Sequence, residues 1–237
     1  GFVDVPVNRL VSREYIRQLA SDIDRSRATN SSAAEPKETT RAESENTTHF
    51  SIIDREGNRV AATVTVNLLF GAGIVPAGTG VLLNNEMDDF TLRPDVPNAF
   101  RLRGGVANGI EPRKRPLSSM TPTFVQDEKG VLILGAPGGS RIVSQVLLAI
   151  LAYVGSKDVD LAQLVSMPRY HHQHWPDRIE IEPQGFTEEW ITTMSARGHR
   201  VIPANRQWGN MQAVFKPARG GAAQAASDPR GLGLAWY

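Results

Sequence analysis

The stretch Glu45–Asn67, "ENTTHFSIIDREGNRVAATVTVN", changes character within a few residues. Up to its second residue, from Arg25 to Asn46, Ser, Thr, Glu and Arg dominate and little beyond alanine is available to bury, the composition of a linker or tail. From Thr47 the chain adopts period two. Phe50 and Ile52 alternate with His49 and Ser51, and after "DREGN" Val64 and Val66 alternate with Thr63, Thr65 and Asn67. This pattern predicts a β-hairpin. Asp54 can open a type I turn and Gly57 can take the left-handed position of a three-residue loop with a bulge, which pairs Asp54 with Asn58. Counting back in that register sets Thr47 opposite Thr65. Thr47, Thr65 and Asn67 then share one face while Val64 and Val66 point to the other. Three hydrogen-bonding side chains cluster there, either as a site or as a polar stripe on a solvated sheet.

Working outward, Ser12 is placed to cap a short amphipathic helix carrying Tyr15, Ile16, Leu19 and Ile23, whose apolar stripe calls for a partner surface. "GVLIL" (130–134) reads as a buried strand. From Ser140 the residues Val143, Val146, Leu147, Ile150, Leu151 and Val154 predict an amphipathic helix stopped at Gly155. Asp160 and Thr187 are expected N-caps of two more helices, the second ending at Gly198, and "RIEIE" and "MQAVFK" are expected strands. Strand and helix alternate without a fixed repeat, which predicts a layered α and β domain from Thr47 to Tyr237.

Composition narrows the function. A net charge of +1 supplies no bulk field for nucleic acid, so no nucleic-acid partner is expected and any charged ligand must be met by a local site. The longest apolar run, 146–154, is far short of the roughly 20 residues of a membrane helix. With no cysteine, disulfides and thiolate chemistry are excluded. Residue 1 is Gly rather than Met, so the gene product is expected to begin upstream, and any signal peptide with it.

Several motifs carry candidate chemistry. "GAPGGSR" (135–141) follows a strand and opens a helix, where backbone N–H groups favour an anion. It lacks both the Walker lysine and the third dinucleotide glycine. Its amides suit an oxyanion hole, and a purely structural turn is the alternative. "HHQH" (171–174) has neither the spacing nor the carboxylate of a zinc site, so neither metal nor cofactor is expected. "NNEMDDF" (84–90) sets Glu86 near Asp89, and "RPLSSMTPT" offers Ser118 and Ser119; together they suit the ammonium and carboxylate of an amino acid.

Taken in order, "TTHFSIID", "TVTVN", "LLNNEMDDF", "KRPLSSMTPT", "GAPGGSR", "PRYHHQ" and "SDPR" resemble the small, C-terminal subunit of the gamma-glutamyltransferases, over residues 47–237. Residues 1–46 resemble the end of that family's large subunit. The resemblance implies an N-terminal nucleophile hydrolase of mixed α and β class, a four-layer αββα sandwich of which this is the small-subunit part. It also implies a precursor that cuts itself between Asn46 and Thr47. Thr47 then becomes the nucleophile, with its own freed amine as base. On the same resemblance Thr65 supports Thr47, and Asn67, Glu86 and Asp89 contact the substrate α-amino and α-carboxylate ends. Ser118 and Ser119 hold the carboxylate, and the amides of Gly138 and Gly139 form the oxyanion hole. The implied reaction is ping-pong transfer from a γ-glutamyl compound such as glutathione to water, an amino acid or a peptide. The implied partner is the large subunit and the implied compartment periplasmic or extracellular. Phe100, within "VPNAFRLRGG", stands where many bacterial members carry a lid tyrosine. Cephalosporin acylases and capsule-processing transpeptidases share the fold and the Thr-led mechanism, and an uncleaved chain would be a binding protein only.

Overall fold

The computed structural model describes residues 2–31, 46–93 and 96–236. Most of the polar tract, residues 32–45, lies outside the described residues. Its opening residues rest on the domain: the Ala28 N–H donates to the Arg197 carbonyl at 2.6 Å, and the Ser31 N–H to Asp177 Oδ2 at 2.7 Å.

A short helix α1 (Val7–Leu10) leads into α2 (Arg13–Ser21), where the Ser12 hydroxyl accepts from the Tyr15 N–H at 3.2 Å as an N-cap. Ile16 and Leu19 of α2 are exposed, so the surface that its stripe calls for is not among the described residues.

The hairpin forms as its turn chemistry dictates. β1 (Thr47–Ile53) pairs antiparallel with β2 (Arg59–Thr65), and Thr47 lies opposite Thr65. Asp54 holds the turn by accepting from the Asn58 N–H at 2.8 Å, and Gly57 takes the left-handed conformation at φ 89°. One expectation needs correction. Asn67 does not continue the strand: β2 ends at Thr65, and Asn67 turns the chain at φ 71°. Its N–H is then free of the ladder and donates to Thr65 Oγ1 at 2.9 Å, which brings Asn67 to the same site by another route.

β3 (Thr123–Gln126), β4 (Gly130–Gly135), β8 (Gln212–Pro217) and β9 (Gln224–Ser227) form an antiparallel sheet in the order β3-β4-β8-β9. The hairpin packs face to face on it. Ser51 Oγ of β1 donates to the Gln212 carbonyl at 3.3 Å, and the His49 ring lies on Gly135, where an added Cβ would sit 2.3 Å from Nδ1. The far face of the sheet is covered by α3 (Arg141–Gly155) and α4 (Leu161–Ser166), through a core of Leu132, Leu134, Ile142, Val146, Ala149, Tyr153, Leu161, Val165 and Phe215. A third sheet, β5 (Tyr170–His171), β6 (Ile179–Ile181) and β7 (Val201–Pro203), flanks α3 and is followed along β6 to β7 by α5 (Glu188–Ala196). Asp160 and Thr187 cap α4 and α5 as expected, accepting from the N–H groups of Gln163 and Trp190.

The face of α3 is the second correction. The residues turned to the core are Ile142, Gln145, Val146, Ala149 and Tyr153, whereas Val143, Leu147, Leu151 and Val154 are exposed. A helix apolar on most of its circumference has two candidate buried faces, and periodicity cannot choose between them. The outward hairpin face is also apolar and exposed at Phe50, Ile52, Val60 and Val64. The described residues thus make one helical layer and two β-layers, with apolar surface left open on both outer sides.

The two sheets beside α4 are joined by four buried charges from motifs 59 residues apart. Arg169 pairs with Asp228, and Arg230 with both Glu182 (2.7 Å) and Asp228 (3.0 Å). The remaining valences are filled by backbone: Arg169 Nη1 donates to the Trp208 carbonyl, and Glu182 and Asp228 accept the N–H groups of Trp208 and Met211. Such a cluster is stable only because each charge is both paired and hydrogen-bonded.

Candidate active site

At the first residue of β1, Thr47 Oγ1 donates to Thr65 Oγ1 at 3.0 Å. Thr65 also accepts the Asn67 N–H, so its hydroxyl is fixed from two sides. Thr48, opposite Val64, projects to the other face and is exposed.

Behind Thr47 on the same face, His49 is buried between hairpin and sheet. Its Nδ1 meets Thr63 Oγ1 at 2.8 Å and its Nε2 meets Ser51 Oγ at 3.0 Å. Burial pushes its pKa down to about 4, so it is a neutral packing element rather than a base. The unfolded chain, with an ordinary histidine near 6.5, takes up the proton first as pH falls. Stability contributed by His49 is thus complete above pH 6.5 and lost between pH 6.5 and 4. The expected loss is on the order of 2–3 kcal/mol, removed in His49→Gln, and urea unfolding at pH 7 and pH 4.5 measures it.

Asparagines carry the site onward. Asn67 is buried and its Nδ2 donates to the Asn85 carbonyl at 3.2 Å, while Asn85 Oδ1 accepts the Leu68 N–H at 2.9 Å and its own N–H donates to Val66. The hairpin end is thereby stitched to the 3₁₀ turn Glu86–Asp89, which carries both predicted carboxylates. Burial raises the Asp89 carboxyl to about 7, helped by the charges of Glu86 and Asp88, and burial also raises Glu86. Asn108 Nδ2 donates to the Asp89 carbonyl at 2.7 Å and its Oδ1 accepts the Leu117 N–H, which brings the segment before Ser118 and Ser119 alongside. Ser118 Oγ itself accepts the Met120 N–H at 3.1 Å, fixing the serine turn. A cleft of about 220 Å³ opens beside Asp89, lined by Asn98, Leu102, Asn108 and Leu117 among others; Thr47 and the glycine turn are not part of its wall.

The glycine turn follows β4. Gly138 has φ 130° and Gly139 φ 56°, conformations that a side chain disfavours, and among the described residues neither N–H has an acceptor. The turn is roofed by Phe100, whose ring would lie 2.4 Å from a Cβ on Gly139. Ala99 N–H in turn donates to Asp88 Oδ2 at 3.1 Å, linking this roof to the acidic turn.

Of the predicted residues, Thr47, Thr65 and Asn67 are in direct contact; Asn85 ties them to the turn of Glu86 and Asp89, Asn108 ties that turn to the segment before Ser118 and Ser119, and the Gly138-Gly139 turn is joined to it only through Phe100 and Ala99. Asn85, Asp88, Asn98 and Asn108 were not singled out from the sequence. Asn85, Asp88 and Asn108 work through backbone groups 9 to 19 residues away and Asn98 through its own turn, and only the run "NNEMDDF" hinted at two of them.

Against known proteins, the gamma-glutamyltranspeptidase family model matches residues 1–236. The chain is similar to the glutathione hydrolase proenzyme of Escherichia coli (strain K12), 40% identical over 232 residues, covering 98% of this chain and 39% of that protein. It thus spans about two-fifths of the length of that relative. Among solved structures it is similar to gamma-glutamyltranspeptidase from Pseudomonas nitroreducens complexed with L-DON, with TM-score 0.72 and 41% identity, over 80% of this chain and 98% of that one. It is also similar to the transpeptidase CapD of Bacillus anthracis, with TM-score 0.62 and 26% identity, over 80% and 98% of the two chains. With a family model matching residues 1–236 and relatives 40% identical over nearly its whole length, this chain belongs to the gamma-glutamyltranspeptidase family.

Proposed function

We propose that this chain is the catalytic part of an enzyme that transfers or hydrolyses γ-glutamyl groups, from glutathione and similar amides, after cutting its own backbone between Asn46 and Thr47. The observation that carries this reading is the Thr47 and Thr65 hydroxyl pair, 3.0 Å apart at the first residue of a strand, with an acidic turn and a pair of unengaged glycine amides joined to it. Thr47 Oγ1 attacks the γ-carbonyl, the amides of Gly138 and Gly139 take the developing oxyanion, and the amine leaves. The freed Thr47 α-amine, with an ordinary pKa near 8, serves as base. Water or an amino-acid or peptide amine then resolves the ester. In this reading Asn67, Glu86 and Asp89 contact the α-amino and α-carboxylate ends of the donor, with Asp89 on the ammonium, and Ser118 and Ser119 hold its carboxylate.

Residues 1–46 act as the end of the large subunit and 47–237 as the small one. Residues 47–237 make up about four-fifths of the chain, the same share that matches a single solved chain over 98% of its length. The open apolar surfaces of α3 and of the hairpin suit the large subunit, since three-fifths of the Escherichia coli relative has no counterpart here. A periplasmic or extracellular site of action rests on the family resemblance. The capsule-processing alternative is favoured less, because the CapD likeness is weaker in both sequence and fold.

Asp89 supplies the test. In the empty site its carboxyl is protonated below about pH 7, and an ammonium can bind only after that proton leaves. Glutamate affinity of the processed full-length enzyme should therefore fall as pH drops through 7, by about tenfold per unit. Asp89→Asn should bind more weakly and lose this acid limb, which separates it from titration of the Thr47 amine. Asp89→Ala should lower kcat/KM for a γ-glutamyl anilide by about 2–4 kcal/mol in transition-state binding. Unchanged kcat/KM would place the ammonium elsewhere and favour an acylase with another substrate.

A further inference from the structure

The "HHQH" motif takes no part in the chemistry above, yet its glutamine reaches the roof of the glycine turn. Gln173 Nε2 lies 3.2 Å from the Phe100 carbonyl and 3.1 Å from the Trp175 carbonyl. Both partners can only accept, so the amide NH₂ must face them and Gln173 Oε1 must face the other way. There it meets His171 Nε2 at 2.8 Å. An amide oxygen can only accept, so Nε2 carries the imidazole proton. His171 is buried, which holds its pKa down and keeps the ring neutral, and its Nδ1 is left as acceptor for Ser144 Oγ at 2.7 Å. The Ser144 hydroxyl has one proton and two acceptors in reach, His171 Nδ1 at 2.7 Å and the Arg141 carbonyl at 3.1 Å, and the shorter contact is the one that closes the relay. It starts in the first turn of α3, the helix that the Gly138-Gly139 turn opens, and ends on the backbone of the residue that covers that turn.

We propose that Gln173 is a positioning residue that latches the Phe100 backbone over the Gly138-Gly139 turn, with His171 and Ser144 fixing its orientation. A phenylalanine ring has no polar atom through which its own place could be fixed, so the backbone is where the roof must be held. Asp88 grips it at the Ala99 N–H and Asn98 Oδ1 accepts the Phe100 and Leu102 N–H groups, both at 3.0 Å. Gln173 supplies the hold from the opposite side, on the carbonyl. With the ring seated on Gly139, one side of the turn is shielded from water, and hydrogen bonds its amides make to a developing oxyanion are stronger for it. The catalytic consequence rests on the γ-glutamyl reading; the latch itself does not.

Gln173→Glu is nearly isosteric but at neutral pH turns a carboxylate towards two carbonyl oxygens. Gln173→Met keeps the bulk and removes the bonds without adding charge. In the full-length processed enzyme, tryptic cleavage after Arg101 and Arg103 in the roof loop should be about tenfold faster in Gln173→Met and faster still in Gln173→Glu, while the thermal midpoint moves little. kcat for a γ-glutamyl anilide should fall by about tenfold with a smaller change in KM, because the loss falls on the developing oxyanion. Trypsin rates equal to wild type in both variants overturn the latch, whatever the kinetics. Faster cleavage in a protein that turns over no γ-glutamyl donor upholds the latch and defeats the functional reading instead.

Discussion

Thr47→Ala in the full-length precursor should yield a single uncut chain with no measurable γ-glutamyl turnover, a loss of roughly 10⁴-fold or more. Before cleavage the Thr47 nitrogen is an amide and cannot act as a base, but its hydroxyl can reach the neighbouring Asn46 carbonyl carbon. Attack there gives an ester by N-to-O acyl shift, and water then frees the new N-terminus. The hydrogen bond from Thr47 Oγ1 to Thr65 Oγ1, itself pinned by the Asn67 N–H, holds that oxygen in one rotamer. Thr47→Ser should still cut, more slowly, because losing the γ-methyl frees χ1. Thr48→Ala should cut at the same bond, since Thr48 lies opposite Val64 on the other face of the hairpin. A denaturing gel and an intact mass of the three variants check this; a normal two-chain product from Thr47→Ala would show the wrong threonine has been chosen.

The second large effect concerns folding. Asp228→Ala should destabilise the chain by about 3–5 kcal/mol, enough to unfold most small domains at moderate urea. Removing that carboxylate strands Arg169, whose side chain is 2% exposed, and takes away one of the two partners of Arg230. It also leaves the Met211 N–H without its acceptor. Asp228→Asn, which can still accept one hydrogen bond, should cost less. Urea midpoints compared with wild type measure the difference, and a shift worth under about 1 kcal/mol would mean that water or rearrangement satisfies the two arginines.

The hairpin was legible because its determinants are local: Asp54, Gly57 and the alternation around them fix both turn and register. The same holds for the three caps at Ser12, Asp160 and Thr187. Other elements were hidden because long-range pairing makes them. "TFVQ", "YH" and "QAAS" become strands at β3, β5 and β9 through neighbours distant in sequence, with too few residues to show a period of their own. The face of α3 was misread for a related reason, since Val143, Leu147, Leu151 and Val154 are as apolar as the residues that are buried. In the site, residue types with distinctive chemistry could be nominated from sequence. Asn85, Asn108 and Gln173 could not, because an amide that holds a remote carbonyl looks the same in sequence as one that faces water.

The central claim, that Thr47 becomes an N-terminal nucleophile bearing a γ-glutamyl ester, is tested most directly by acid-quenching the full-length enzyme during turnover of a γ-glutamyl donor and sequencing the small chain by mass spectrometry. The account predicts a chain beginning at Thr47 and carrying one γ-glutamyl unit on that residue. An uncut chain, a different N-terminus, or the γ-glutamyl unit on any other residue would contradict it.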